Sequence, residues 1–332
     1  MADSVNSNRT EARKILITGG AGFIGSNIVD GYIARGFEVV VVDNLSAGKK
    51  ENLNPSARFY REDIRSEKIR EIILDERPHI VNHHAAQISV PRSVEDPLMD
   101  ADINIMGFIN ILEASKEVGV EKVIFASSGG AIYGEAAVLP TPEEQPPNLL
   151  FPYAVSKATG EAYLEYYKHH YGIDCIVLRY ANIYGQRQTP EGEAGVVAIF
   201  MDNILNGRQS IIYAYDDQPQ GMLRDYCHVE DVVRANILAA EKKTTGVFNI
   251  ATGKAITTLE LYNTILKAVE ERDLPVDEAI RKPLFEKPRP GELKRSCLDA
   301  KRAESVLGWT PRIGLKEGIE KTLEWWLTQR VG

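Results

Sequence analysis

The sequence predicts an α/β protein, a doubly wound parallel sheet accompanied by a second, smaller mixed α/β domain. Short apolar runs such as EVVVV (38–42) alternate with helical patterns through the first half of the chain, which is typical of parallel strands covered on both faces. A glycine-rich loop directly follows the first of these runs. Beyond residue 182 the alternation stops, and proline, glycine and charged residues become frequent, as in FEKPRPGE (285–292).

The same changes of pattern divide the chain into domains. We expect residues 1–13 to be a disordered polar leader and residues 14–181 to form the sheet domain. The amphipathic pattern VEDVVRANILAAEKK predicts a helix that returns to the sheet, so 227–251 belong with it. Residues 182–226 and 252–332 then form the second domain, which we expect to close over the first.

Composition and charge restrict the class of protein. The chain has 332 residues, of which 44% are hydrophobic and 26% are charged, as is ordinary for a soluble globular protein. The net charge of −8 argues against a nucleic-acid surface, which would normally be basic. No apolar run is long enough to span a bilayer, and the polar N-terminus lacks the apolar stretch of a secretory signal.

The cysteines and histidines form no metal-binding pattern. The three cysteines are widely scattered without a CxxC pair, and the six histidines include no HExxH spacing. We therefore expect reduced thiols, a cytoplasmic location and no bound metal.

The loop after the first strand has the form of a dinucleotide-binding turn in a Rossmann fold. Gly19, Gly22 and Gly25 in TGGAGFIG permit a tight turn and a close approach of backbone to pyrophosphate at a helix N-terminus. Asp43 ends the next strand, about twenty residues on. A carboxylate there accepts hydrogen bonds from the adenine ribose and repels a 2′-phosphate, which favours NAD over NADP. The alternative is that Asp43 only forms a turn.

Further residues near strand ends are expected to contact the cofactor. Asp63 and Ile64, after the third strand, are placed to hold adenine. Small side chains at Ala85 and Ala86 would let the dinucleotide pass closely, although ordinary close packing explains these alanines equally well. The other cofactor contacts expected around these loops are Phe23, Ile24, Asn44, Ser46, Gln87 and Ser127.

The segment YAVSK places a phenol and an ammonium group one helical turn apart. Lys157 lies four residues after Tyr153 and therefore on the same helical face. A free tyrosine has a pKa of about 10, and a neighbouring positive charge lowers that pKa by favouring the phenolate. The preceding strand ends in Ser127 and Ser128, and either hydroxyl could bind the reacting oxygen or relay its proton. Together with the glycine loop, this predicts that a nicotinamide and an acid/base group meet at one carbon.

These motifs, taken in order, resemble those of the extended short-chain dehydrogenase/reductase superfamily. TGGAGFIG, HHAA, SSGGAIYG, YAVSK and LRYANIYG occur in the order found there, and the chain is most similar to the UDP-glucose 4-epimerases over nearly its whole length. The resemblance implies that Tyr153 is the catalytic base and that Lys157 orients the nicotinamide ribose. It also implies that Asn104 lines the cofactor site, with Tyr180 and Asn182 beside nicotinamide and substrate.

One position departs from the family pattern. Many relatives carry a catalytic Ser or Thr four residues before the tyrosine of the YG pair, where this chain has Gly129 before Tyr133. Ser128 is the nearest hydroxyl and takes the role, with Ser127 as the alternative.

The second half carries segments that resemble the family's substrate-binding motifs. MLRDYCHVED implies that Arg224 binds a diphosphate, and RPGEL implies a second clamp at Arg289 with a ribose contact at Glu292. Arginine suits both places because its planar fork binds phosphate through two hydrogen bonds. Tyr213 lies where relatives stack an aromatic ring on uracil. The implied substrate contacts are Ser128, Tyr153, Asn182, Val196, Tyr213, Arg224, Arg289, Glu292 and Ser296.

The activity implied by the resemblance is C4 epimerisation of a UDP-hexose with tightly bound NAD. Tyr153 would remove the C4 hydroxyl proton as hydride passes to NAD, and the 4-keto sugar would turn before hydride returns to its other face. UDP-glucose and UDP-galactose would interconvert in this way. Ser296 lies where some epimerases carry a bulky tyrosine, so N-acetylated UDP-hexoses are also expected to fit.

Other functions use part of the same motif set. An epimerase of UDP-glucuronate or of a CDP-sugar is the alternative that is harder to exclude. Nucleotide-sugar 4,6-dehydratases and UDP-glucuronate decarboxylases usually carry Glu two residues before the YG tyrosine, where this chain has Ala131 after Gly130. A non-catalytic NAD-binding regulator on the same fold would not need the intact set of Tyr153, Lys157 and Ser128.

A homodimer is also implied, because relatives pair the helices after Asn104 and Tyr153 into a four-helix bundle. In this chain both helices carry more apolar residues than one core-facing stripe requires. Those residues are Ile105, Phe108, Ile109, Leu112, Tyr163, Leu164 and Tyr167.

Overall fold

The computed structural model describes residues 12–190, 195–288 and 292–330. The strands are β1 (Lys14–Thr18), β2 (Glu38–Val42), β3 (Arg58–Tyr60), β4 (Ile80–His83), β5 (Lys122–Ser128), β6 (Asp174–Tyr180), β7 (Asn182–Tyr184), β8 (Ile211–Tyr213), β9 (Leu223–His228), β10 (Gly246–Ile250), β11 (Ala255–Thr257), β12 (Leu284–Glu286) and β13 (Arg295–Ser296). The helices are α1 (Phe23–Ala34), α2 (Lys68–Glu76), α3 (Val90–Glu95), α4 (Pro97–Ala101), α5 (Gly107–Val118), α6 (Gly129–Tyr133), α7 (Pro152–Tyr171), α8 (Val196–Leu205), α9 (Val229–Glu241), α10 (Thr258–Glu270) and α11 (Leu315–Thr328). A 3₁₀ turn covers Lys50–Asn52, and π-helical turns cover Asp102–Met106 and Ala303–Leu307.

The main sheet has seven strands in the order β10-β6-β5-β4-β1-β2-β3, all paired in parallel. The strand order reverses between β1 and β4, which places a crevice outside the carboxyl ends of these two strands. The predicted doubly wound α/β class is therefore confirmed. At one edge of this sheet β10 pairs with β6, and helix α9, which precedes β10 in the chain, packs against α1.

Two apolar layers cover the sheet because side chains alternate between its faces along each strand. One layer joins α1 and α9 to the sheet, and the other joins α2, α5 and α7 to the opposite face. Phe108, Leu112, Leu164 and Tyr167 are buried in the second layer. These four side chains therefore belong to the chain's own core, whereas Ile105, Ile109 and Tyr163 of the same expected set are only partly buried.

A third core lies in the second region of the chain. Helices α8, α10 and α11 enclose it with large side chains such as Phe200, Tyr262 and Trp326. Strand β9 pairs with β7, β11 and β13, and a separate two-stranded sheet joins β8 to β12. Within the described ranges, no helix combines the length and the apolar character needed to cross a membrane. Residues 1–11 of the expected leader lie outside the described residues.

Candidate active site

The glycine loop lies directly against the end of β4. Gly19 has a left-handed backbone with φ of 71°, and a Cβ built on it would lie 2.7 Å from the backbone nitrogen of Ala85. A Cβ on Gly25 would collide with the carbonyl oxygen of Gly19. Both positions therefore require glycine. The resulting tight loop has no side chains at these two positions, so a ligand can approach its backbone.

The start of α1 suits a bound pyrophosphate. The helix begins after Gly22, which supplies no side-chain cap for the first N–H groups of the helix. Such N–H groups, which include those of Phe23 and Ile24, have no partner within the helix and attract negative charge. The uncapped helix end and the glycine cradle both fit a dinucleotide.

Asp43 is buried at the end of β2 and ties the glycine loop to that strand. Its Oδ2 accepts a hydrogen bond from the Ala21 nitrogen at 3.0 Å, and its Oδ1 accepts one from the Leu45 nitrogen at 2.8 Å. Asp43 therefore does form the strand-end turn. Each carboxylate oxygen has a second lone pair, so these bonds leave acceptor capacity for a ribose hydroxyl.

The residues expected around adenine lie together beyond Asp43. Asn44 Nδ2 donates to Asp63 Oδ2 at 2.8 Å, and Asn44 Oδ1 accepts from the Ser46 nitrogen at 2.9 Å. The Arg65 guanidinium holds the pKa of Asp63 well below its usual range through hydrogen bonds to both carboxylate oxygens. Ile64 points the other way and is buried in the core below α5.

The acid/base pair lies near the start of α7. Lys157 is buried, and its Nζ donates to the Ala126 carbonyl oxygen at 2.9 Å. The same Nζ lies 5.8 Å from the ring centroid of Tyr153 and 5.0 Å from that of Phe125. Burial lowers the pKa of Lys157 to about 8, while the nearby carboxylates of Asp100 and Glu161 oppose that change. The ammonium is therefore held against a buried tyrosine, in the arrangement expected for a phenolate base.

Ser127 and Ser128 point to opposite faces of β5 because they are consecutive in a strand. Ser127 Oγ donates to Glu161 Oε1 at 2.6 Å, and Glu161 forms an ion pair with Arg179 at 2.5 Å. Ser128 is the N-cap of α6, and among the residues that the structure describes it accepts only a long hydrogen bond, 3.4 Å, from the Ala131 nitrogen. The Ser127 hydroxyl is thus committed to a buried ion pair, which leaves Ser128 as the better candidate.

The end of β6 carries a tyrosine within a buried polar chain. The Tyr180 hydroxyl lies 3.0 Å from His84 Nε2 and accepts from Asn236 Nδ2 at 2.9 Å. Burial raises the pKa of Tyr180, and burial together with the charge of Lys157 lowers the pKa of His84 to about 3. Both side chains are therefore neutral near pH 7, so Tyr180 does not compete with Tyr153 as a base.

Asn104 and Gln87 meet at the edge of the crevice. Asn104 Oδ1 accepts from the Gln87 backbone nitrogen at 2.8 Å, and Asn104 Nδ2 donates to the Gln87 carbonyl oxygen at 2.9 Å. Gln87 Nε2 donates to the Ser89 carbonyl oxygen and to Asp100 Oδ1, so the Gln87 amide group is hydrogen-bonded within the protein. Ala85 and Ala86 lie just before this pair and are half-buried.

The residues expected to bind substrate lie around β9. Arg224 is paired in register with Ser296 of β13, and its guanidinium lies 3.6 Å from Glu292. Arg224 also donates to the carbonyl oxygen of Leu293 at 2.7 Å. A Cβ on Gly130 would lie 3.5 Å from Ser296 Oγ, so β13 packs next to the start of α6, which follows Ser128.

The other expected substrate contacts are more dispersed. Asn182 is exposed in β7, opposite Tyr226 of β9, whereas Val196 begins α8 and Tyr213 ends β8. Arg289 lies outside the described residues. In the described parts of the chain, no three His, Cys, Asp or Glu side chains are grouped to hold a metal ion.

Several polar residues near the site were not expected from the motifs. Glu161 supports Ser127, Arg179 neutralises Glu161, and His84 contacts Tyr180. Glu161 had a usable signal, since it continues the face of Tyr153 and Lys157 by one more turn. His84, at a strand end, could not be assigned from spacing because its partner comes almost a hundred residues later.

Comparisons with known proteins place the chain in a well-populated group. The model of the GDP-mannose 4,6-dehydratase family matches residues 16–322. A UDP-glucose 4-epimerase of Thermotoga maritima, solved with UDP-glucose, is 46% identical, with a TM-score of 0.88 over 96% of this chain and 99% of that one. A UDP-glucose 4-epimerase of Thermus thermophilus, solved with NAD, is 44% identical, with a TM-score of 0.85 over 95% and 99%.

A third solved structure carries a larger sugar nucleotide. It is a UDP-N-acetylglucosamine 4-epimerase of Methanobrevibacter ruminantium in complex with UDP-N-acetylmuramic acid. The identity is 34% and the TM-score 0.87, over 96% of this chain and 99% of that one.

Proposed function

Because the chain belongs to the UDP-glucose 4-epimerase family of the extended short-chain dehydrogenase/reductase superfamily, we propose that it interconverts UDP-glucose and UDP-galactose by epimerisation at C4 with tightly bound NAD. The family is the one that the ordered motifs predicted. The observation that carries the proposal is the buried Lys157 ammonium beside the ring of Tyr153, next to the strand that ends in Ser128.

The cofactor site is formed by the glycine loop, the uncapped start of α1 and Asp43. When bound, NAD supplies the hydride acceptor for C4 of the sugar and later returns the hydride, so no net oxidation results. Gly19 and Gly25 would keep the backbone accessible to the pyrophosphate, and the Asp43 carboxylate would accept a hydrogen bond from the adenine ribose.

The chain's own side chains move the proton and hold the sugar. Tyr153 accepts the proton of the C4 hydroxyl as a phenolate, a form that the adjacent Lys157 ammonium favours. Ser128 hydrogen-bonds the same sugar oxygen and keeps it within reach of Tyr153. Arg224 binds the diphosphate, so the 4-keto sugar turns while its nucleotide stays fixed, and Tyr153 then returns the proton.

We propose that N-acetylated UDP-hexoses are accepted as well. Ser296 carries a small side chain next to Gly130 of α6, where a bulky tyrosine would project toward the substrate. The similar epimerase of Methanobrevibacter ruminantium, whose complex holds an N-acetylated sugar nucleotide, supports this extension.

A cytoplasmic homodimer is also proposed. Large apolar side chains remain exposed on α7, at Val155 and Tyr166, and on two elements that pack against it, at Leu98 in α4 and Met106 in the π-helical turn. Leu98 is 83% exposed and Met106 is 58% exposed, which would be unfavourable without a covering partner. Sedimentation at micromolar concentration tests the dimer, and a monomer there would contradict it.

The cytoplasmic location is supported by the cysteines, because all three are free thiols, as is usual in a reducing compartment.

The proposed activity is tested with purified protein and no added NAD. We expect C4 epimers to form from UDP-galactose, whereas UDP-glucuronate and CDP-glucose remain unchanged when the products are resolved by chromatography. A 4-keto-6-deoxy sugar product would indicate a dehydratase instead. Tyr153→Phe should lower kcat about 1000-fold. Tyr171→Phe removes a hydroxyl from an exposed ring at the far end of the same helix and should leave kcat unchanged.

A further inference from the structure

Asp100 is a buried carboxylate outside every motif named above. It lies in α4, which packs against α7, and it is only 1% exposed. Its Oδ1 accepts hydrogen bonds from Gln87 Nε2 at 2.9 Å and from Asn104 Nδ2 at 3.0 Å. Burying a carboxylate costs free energy unless hydrogen bonds or charges compensate it, so a buried Asp100 indicates a structural or functional role.

The hydrogen bonds of Asp100 continue to the catalytic helix. Asn104 lies in the π-helical turn between α4 and α5, and π-helical turns often occur at functional sites. Its Nδ2 lies 3.3 Å from Ser156 Oγ, and Ser156 Oγ donates to the Tyr153 carbonyl oxygen at 3.0 Å. One chain of side chains therefore joins Asp100 to the backbone of the proposed base.

Asp100 also supplies negative charge near Lys157. The ionisable groups that face Lys157 are Asp100 from α4, Tyr153 and Glu161 from α7, and His83 and His84 from the end of β4. Burial lowers the pKa of both histidines, so they are neutral near pH 7. Glu161 is neutralised by Arg179, whereas Asp100 Oδ1 is held by two neutral amides.

We infer that Asp100 is a positioning residue, which fixes Asn104 and Gln87 at the cofactor crevice and keeps Lys157 in its ammonium form during turnover. The inference rests on the proposed function, because it assigns Asp100 a part in the epimerisation. Burial alone lowers the pKa of Lys157, and the charge of Asp100 opposes this effect. Removing that charge should therefore let Lys157 lose its proton at lower pH.

The test is Asp100→Asn, measured as the pH profile of kcat with UDP-galactose on the holoenzyme. The new amide oxygen still accepts from Gln87 and Asn104, so the variant removes charge and keeps the acceptor. We expect the alkaline limb to move about one pH unit lower, with bound NAD retained in acid-released extracts. Glu95→Gln, an exposed carboxylate in α3, is the matched control and should leave the limb in place.

Thermal unfolding checks that each variant is folded, and Asp100→Ser replaces Asp100→Asn if the latter does not fold. A folded variant with the wild-type limb overturns the inference. An equal loss of kcat at every pH also overturns it, because a purely structural role would produce that result. Failure of the proposed function is distinguishable, since it appears as an absence of epimerisation in the wild-type protein.

Discussion

The side chain of Leu298 occupies the space next to Gly129. A Cβ on Gly129 would lie 2.9 Å from Leu298 Cδ2 and would collide with Cδ1. Leu298 follows β13 in the second half of the chain and is buried in a small cluster with Ile132 and Tyr133. At the position where relatives carry a Ser or Thr, the Leu298 side chain therefore occupies the space that a side chain would need. In this chain the catalytic hydroxyl is proposed to come from Ser128 instead.

Gly129→Ala should destabilise the protein by about 2 kcal/mol, because it overpacks a filled site. Leu298→Ala should cost about 3 kcal/mol by leaving a cavity. In the double variant the new methyl group takes part of that cavity, so the total loss should be smaller than the sum of the two. Chemical denaturation measures all three free energies of unfolding, and strict additivity would show that the two side chains do not share this space.

Ser128→Ala should lower kcat about 100-fold, because it removes the hydroxyl that holds the reacting oxygen. Ser127→Ala is the comparison, since its hydroxyl donates to Glu161. That variant should instead lower the free energy of unfolding by about 1 kcal/mol and change kcat much less. Steady-state kinetics with UDP-galactose and denaturant unfolding separate the two effects. A larger kcat loss in Ser127→Ala would transfer the role to Ser127.

The activity of the wild-type protein should fall as the pH rises through about 8. Burial lowers the pKa of Lys157 to about 8, so the ammonium form is present below that pH and is lost above it. Without the ammonium, the Tyr153 phenolate is less favoured and kcat declines. Lys157→Arg keeps a positive charge at all these pH values. Its residual activity should lack the alkaline limb, and a limb unchanged in this variant would assign the titration to another group.

Ser296→Tyr should abolish turnover of UDP-N-acetylglucosamine and spare UDP-galactose. The new ring would project from the position of Ser296, next to Gly130, where the N-acetyl group is proposed to lie. We expect the ratio of kcat/KM values for the two sugars to change by at least about 100-fold. Ser296→Ala keeps the pocket open and should retain both activities. Equal losses for both sugars in Ser296→Tyr would mean that the space serves another part of the substrate.

Much of the site could be read from local patterns. The i and i+4 spacing of Tyr153 and Lys157 puts them on one helical face in any α-helix, and the glycine spacing requires a tight turn wherever it follows a strand. The choice between Ser127 and Ser128 was different. Alternation along the strand requires only that the two hydroxyls point to opposite faces of the sheet. The packing of α7 brings Glu161 to Ser127, so it decides that Ser127 is bound within the protein and Ser128 is available to the substrate.

The sequence by itself therefore determined the fold class, the cofactor loop and the acid/base pair. The fold class follows from the alternation of strand and helix patterns, and the other two depend on residues only a few positions apart. Only the tertiary structure decided that Leu298 fills the place beside Gly129, that Asp100 reaches Asn104 and Gln87, and that four apolar residues of α5 and α7 belong to the core. The physical reason is that close packing and hydrogen bonding between elements depend on how the chain folds back on itself, and spacing along the chain carries no information about those distances.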